Sequence, residues 1–253
     1  MSRRMSLSQI PVLIAPHLES LSNSILTFKP FVEWKESLFK LAQKETNIRL
    51  LGVSVSDVDM FGSRIGFIKA KANVQWEDGS PLPGIVFLRG GSVSILVLLT
   101  PCDGLDREPR VILTQQPRLA IGSSQFLELP AGMLDASGDF AGMAAQELKE
   151  ECGLVIQSDQ LMDLTQRAFG SDQPHVYPSP GACDEFLKLF LYKKEMPIAE
   201  IDALASHLGG LYEHGERISL KMVLKRHLWQ STRDMKALSS LALYDALLFN
   251  KQL

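Results

Sequence analysis

The sequence predicts an α+β fold, in which helices flank a mixed sheet and a smaller α/β unit precedes them. Three observations predict it. Dense apolar stretches over 93–99 and 111–115 read as strands buried on both faces. Residues 140–152 carry Ala144, Leu148 and Cys152 on one helical stripe, with Gly153 where a left-handed residue ends a helix. Strands and helices then follow one another without regular βαβ alternation, which disfavours a doubly wound parallel sheet.

Composition removes several classes of function. The 253 residues hold one large domain or two small ones, and 45% apolar with 22% charged is ordinary globular usage. Lys and Arg number 26 against 29 Asp and Glu, a net charge of −3, so no global field gathers a polyanion and nucleic acid is not expected as a partner. The longest uninterrupted apolar run, 95–99, is far below the roughly 20 residues of a membrane helix. Cys102, Cys152 and Cys183 form neither a disulfide framework nor a CxxC zinc pair. A cytoplasmic protein is expected. The first 18 residues carry Arg3 and Arg4 and no acid, a bias shared with transit peptides, so a plastid or other organelle is the alternative.

Along the chain, 10–14 reads as an edge strand. Phe31, Trp34, Leu38, Leu41 and Ala42 have helical spacing over 31–44. Two alternating strands follow, 50–55 and 65–76, and Glu77-Asp78-Gly79-Ser80 is turn chemistry. These make a first unit over 1–84. The second domain, 85–253, holds the strands 93–99 and 111–115, then a short strand over 126–129 leading into Pro130-Ala131-Gly132. The helix 140–152, strands over 186–192 and 217–223, and a closing helix over 234–250 complete it.

The chemistry concentrates on the helix 140–152. Glu147, Glu150 and Glu151 stand at i, i+3 and i+4, so three carboxylates share one face. Like charges so spaced repel by a few tenths of a kcal/mol per pair, and the C-terminal end of the helix dipole disfavours anions by about 0.3–1 kcal/mol. Stability alone argues against this arrangement. A hard divalent cation reverses the sign, because Mg²⁺ and Mn²⁺ take oxygen ligands. An isolated Glu-Leu-Lys-Glu-Glu stretch is equally compatible with a solvated helix face, so its surroundings decide.

Those surroundings resemble the Nudix box. Gly132, Glu147, Leu148, Glu150, Glu151, Gly153 and Leu154 fall on its pattern at the right spacing, while Gly138 stands at the first glutamate position and Gln146 at the arginine position. Residues 111–118 and 128–132 upstream resemble the strand pair that precedes the box in ADP-ribose and ADP-sugar pyrophosphatases. Tyr177-Pro178-Ser179-Pro180-Gly181 and Asp184-Glu185 downstream resemble the catalytic loop of that branch, closest to the plant-type ADP-sugar diphosphatases.

The resemblance implies a Nudix α/β/α sandwich that hydrolyses the pyrophosphate bond of ADP-glucose or ADP-ribose to AMP and a sugar 1-phosphate. It implies Mg²⁺, with Mn²⁺ as a substitute, held by Glu147, Glu150, Glu151 and the backbone carbonyl of Ala131. Glu151 then counts as catalytic as well as metal-binding. Arg118 grips a phosphate, Gly181 lets the loop bend or approach the substrate, and Glu185 is the candidate general base with Asp184 second. The expected partner is a small nucleotide sugar, and the first unit commonly dimerises in this branch, which implies a homodimer. Gln146 brings no charge, so the alternative is a weakened Nudix-fold protein that binds a nucleotide sugar without turnover. Trp34 and Trp76 stack an adenine or simply pack, His175 and Cys183 lie on or beside the loop, and His207, His214 and His227 lack metal-ligand spacing. Gly209-Gly210 reads as a loop.

Overall fold

A computed structural model describes residues 6–134, 138–172, 174–205, 208–210 and 217–253. Arg3, Arg4, His207 and His214 lie outside the described residues. The chain divides into two compact units, one made of Met1–Gly90 and Tyr177–Glu185, the other of Gly91–Val176 and Phe186–Leu253.

The first unit contains β1 (Val12–Ile14), α1 (Ser22–Thr27), α2 (Lys29–Lys44), β2 (Ile48–Phe61), β3 (Arg64–Trp76) and β4 (Ile85–Leu88). Its sheet runs in the order β1-β2-β3-β4, with β1 parallel to β2 at the edge. Pro30 sits in the first turn of α2, where a missing amide costs nothing. Alternate residues of β3 (Ile68, Ala70, Ala72 and Val74) face inward with Val53 and Val55 of β2 and with Ile25 and Phe31 of the helices. The sheet extends past the boundary expected at residue 84. Residues 85–88 read as the start of the following apolar run, but they alternate exposed and buried and pair with β3.

The second unit contains β5 (Ser92–Pro101), β6 (Arg110–Arg118), β7 (Ser123–Glu128), β8 (Ala131–Met133), α3 (Phe140–Cys152), β9 (Met162–Asp163), α4 (Leu164–Phe169), β10 (Leu187–Met196), α5 (Ile198–Leu204), β11 (Leu208–Gly209), β12 (Ile218–Leu224), α6 (Leu228–Ser231) and α7 (Met235–Phe249). The sheet order is β11-β12-β6-β5-β10-β9, with β7 added to β6 and β8 to β5. Strand β5 explains the layering. Val93, Ile95, Val97 and Leu99 pack with Ala144, Leu148 and Cys152 of α3, whereas Leu96 and Leu98 pack with Leu164 of α4 and with Ala237, Tyr244 and Leu247 of α7. Period-two alternation therefore places helices on both faces, an α/β/α sandwich of the expected class.

β5 also splits its second edge. Leu98 and Leu99 pair with β6, while Ser92–Ser94 pair with β8, so the sheet opens between β6 and β5 and admits the β7–β8 excursion. That excursion carries Ala131 and Gly132 beneath α3. Leu148 is fully buried in this layer, and truncating it to alanine is expected to lower stability by about 2–5 kcal/mol. Urea unfolding of L148A against wild type measures this, and an unchanged midpoint contradicts the packing described.

Candidate active site

The helix that carries the acids is fixed at both ends. Asp139 caps α3, accepting from the Gly142 amide at 2.9 Å, and Gly153 closes it in the left-handed region at φ 68°. β11 meets the last turn: the Gly210 amide donates to the Glu150 carbonyl at 3.1 Å. A Cβ on Gly209 would lie 2.0 Å from the Glu151 carbonyl oxygen, so only glycine fits there. The pair expected to be a loop thus caps the acidic helix, a role whose only sequence signal is two adjacent glycines.

Two of the three acids reach β8. Glu151 is 6% exposed and its Oε2 accepts from the Ala131 amide at 3.1 Å. The Glu147 carboxylate lies over Gly132, where an added Cβ would sit 1.8 Å from its Oε1. Register explains why Ala131 is available. The ladder bonds run from Ile95 N to Pro130 O and from Leu134 N to Gly91 O. Ser94 and Ala131 are therefore a non-hydrogen-bonded pair, and the amide and carbonyl of Ala131 point away from β5. Glu150 accepts from Gln146 Nε2 at 2.8 Å. Among the described residues no three Asp, Glu, His or Cys side chains form a metal-holding group. Burial, then the charges of Glu151 and Glu147, push the Cys152 thiol well up from its usual value.

Arg118, at the end of β6, donates from Nε to Glu128 Oε1 at 2.6 Å. Glu128 is 3% exposed and also accepts from Lys236 Nζ at 2.9 Å. Sequence reasoning missed Glu128, Lys236 and Asp234, because their charges meet only through the sheet.

The segment Tyr177–Glu185 leaves the second unit between Val176 and Phe186, and Val176 and Leu187 clamp its ends with backbone bonds of 3.0 and 2.8 Å. Asp184 is committed to structure: its carboxylate accepts from the Arg89 amide at 2.7 Å and the Gly90 amide at 3.2 Å. Burial raises its pKa against the pull of those amides. Glu185 pairs with Arg89 Nη1 at 3.4 Å. A Cβ on Gly181 would meet nothing within 4 Å, so the described residues give no steric reason for glycine there. His175 lies 4.7 Å from the Phe186 ring, and burial with the Lys188 charge lowers its pKa. Trp34 packs against Phe31 and the first core, while Trp76 stays 41% exposed.

One curated relative bears on the family. The chain is 42% identical over 201 residues, 79% of its own length, to "Nudix hydrolase 14, chloroplastic" of Arabidopsis thaliana. The chain is thus similar to a Nudix hydrolase along most of its length. It spans 63% of that relative's length. In fold it matches a crystal structure titled as an ADP compounds hydrolase, with a TM-score of 0.54 and 14% identity over 82% of this chain and 97% of the other. No family model matches the chain.

Both departures from the Nudix box have local physical content. Gly138 adopts φ 74°, a conformation that suits glycine and strains a glutamate. Its neighbour Asp139 is occupied as the α3 cap. Gln146 reaches Glu150, one turn along the same helix, as a neutral donor.

Two outcomes are expected. Replacing Gly132 with alanine forces Glu147 to rotate away, at a cost of about 1–3 kcal/mol, which chemical unfolding and the variant's crystal structure check. Burial also raises the Cys183 thiol, whereas Cys102 is exposed. Iodoacetamide on the native protein is therefore expected to label Cys102 ahead of Cys152 and Cys183. Labelling of Cys183 first contradicts the environment described for it.

Proposed function

We propose that this protein belongs to the Nudix family and hydrolyses the pyrophosphate bond of an ADP-sugar, ADP-glucose or ADP-ribose, giving AMP and a sugar 1-phosphate, with Mg²⁺ as cofactor and Mn²⁺ as a substitute. One observation carries the reading: Glu147 and Glu151 of α3 converge on Ala131-Gly132, whose outward carbonyl adds a third hard oxygen. The donor set fits Mg²⁺, which takes one or two carboxylates and leaves the rest of its octahedron to water and phosphate. When bound, the metal neutralises the diphosphate and lowers the pKa of a coordinated water.

The chain's own groups do the rest. Glu147 and Glu151 hold the site's negative charge, and the Ala131 amide orients the Glu151 carboxylate. Arg118 offers the planar guanidinium that suits a phosphate. Glu185 takes the general-base role that the resemblance implies, and Gly181 remains a candidate for the bending of its loop. Glu150 accepts from Gln146 through Oε1 and keeps Oε2 for the ligand set. The fold shared with an ADP compounds hydrolase supports a nucleotide-type substrate, and the relative's description as chloroplastic supports a plastid over the cytoplasm. A homodimer formed through the first unit is part of the same proposal.

A second reading rests on Gln146. Where the Nudix box has an arginine, a neutral amide turns to Glu150, so a binder with little turnover is the competing function.

Purified protein with Mg²⁺ is expected to release AMP from ADP-ribose or ADP-glucose, and EDTA to stop it. E151Q is expected to cost about 100-fold or more in kcat. Q146R separates the two readings, since a weakened enzyme gains about tenfold in rate while a binder stays silent. No AMP from any nucleotide sugar, in either protein, rejects the hydrolase.

A further inference from the structure

The second unit holds a charge system of which the proposed chemistry uses only Arg118. Glu128, at the end of β7, is almost wholly buried, with side-chain exposure of 3%, and accepts from both Arg118 Nε and Lys236 Nζ. Lys236 also donates to Asp234 Oδ1 at 2.9 Å, and Asp234 Oδ2 accepts from the Leu129 amide at 3.0 Å. The Asp234 amide donates to Thr232 Oγ1 at 2.9 Å, and that hydroxyl donates to the Leu127 carbonyl. Two acids and two cations thus balance, with Glu128, Asp234 and Lys236 in the interior and Arg118 at its edge, held to β7 and to the cap of α7. Burial alone pulls Lys236 down, yet the Asp234 and Glu128 carboxylates outweigh it and raise its pKa. Its ammonium is committed.

Arg118 differs from Lys236 in one respect. Its side chain stays 43% exposed and gives only Nε to Glu128. Its two Nη groups donate to no carboxylate among the described residues. A guanidinium pinned at Nε has lost most of its rotamer freedom while keeping an outward fork of N–H donors. Such a fork suits the adjacent oxygens of a diphosphate.

We propose that Glu128 and Lys236 are positioning residues that hold Arg118 as a preorganised clamp for the diphosphate of the substrate, which rests on the pyrophosphatase reading above. Glu128 fixes Nε, Lys236 and Asp234 fix Glu128, and Lys236, committed to both carboxylates, does not compete for the ligand. The arrangement distinguishes arginine from lysine at 118, because an ammonium held by Glu128 offers no planar fork of paired N–H donors to adjacent phosphate oxygens.

Calorimetric titration with ADP in the presence of Mg²⁺ tests this. E128Q, R118A and R118K are each expected to weaken ADP by about tenfold. The double variant R118A/E128Q is expected to bind no more weakly than R118A, since Glu128 acts only through Arg118. Wild-type affinity in E128Q overturns the proposal, and so does an E128Q loss that adds in full to that of R118A, the mark of a merely structural residue. Should E128Q not fold, R118K decides alone, because wild-type affinity there shows that charge without a held fork suffices. Wild type that binds ADP yet releases no AMP from ADP-ribose or ADP-glucose removes the hydrolase and leaves the clamp standing. Wild type that binds no ADP overturns both.

Discussion

The candidate site depends on the rotational phase of α3. Ala144, Leu148 and Cys152 are fully buried against β5, and that apolar stripe fixes which way the helix faces. Glu147 and Glu151 precede Leu148 and Cys152 by one residue each, so they are rotated about 100° from the buried stripe, toward β8. The carboxylates are therefore aimed by hydrophobic burial, which at about 1.5–3 kcal/mol per large side chain outweighs the few tenths lost to their mutual repulsion. Two glycines make the approach possible. Gly132 leaves room for the Glu147 carboxylate, and Gly209 lets β11 lie against the last turn of the helix.

The register of β8 on β5 is the complementary constraint. With Ser94 opposite Ala131 in a non-hydrogen-bonded pair, Ala131 presents its amide and carbonyl outward. A slip of one residue would send those groups into the ladder and turn the outward side chains to the other face. The register is pinned from both sides, by Ile95 N on Pro130 O and by the Ser94 hydroxyl on the same carbonyl at 3.1 Å. The Pro130-Ala131-Gly132 sequence thus has a division of labour: an anchoring carbonyl, an outward amide and carbonyl, and a space for a carboxylate.

How much of this was legible in the sequence follows from its range of interaction. The helix 140–152 was read with its true ends, because the apolar stripe and the terminal glycine are local signals. Most strands were found but read short. β2 runs on to Phe61 and β10 to Met196, since pairing continues where apolar alternation has stopped. The sheet that claims residues 85–88, and the use of Gly209-Gly210 as a helix cap, were invisible because both depend on partners many residues away. At the site, spacing placed Glu147, Glu150 and Glu151 on one face but could not show that Gln146 donates to Glu150. Glu185 ranked ahead of Asp184 only through the resemblance, and no local pattern showed that Asp184 accepts from the amides of Arg89 and Gly90.

Two acidic groups in the same unit are held in different ways. Glu128 and Asp234 share Lys236, and Arg118 adds a second cation, so that burial is compensated by charges of the chain itself. The energetic value of such a network is modest, because desolvation offsets much of the Coulomb attraction. On α3 the contacts that orient the acids are neutral donors: the Ala131 amide meets Glu151, and the Gln146 amide meets Glu150. A neutral donor fixes the direction of a carboxylate without cancelling its charge, whereas an arginine does both. Gln146 at the arginine position therefore keeps the orienting hydrogen bond one turn along the helix and gives up the charge that would accompany it.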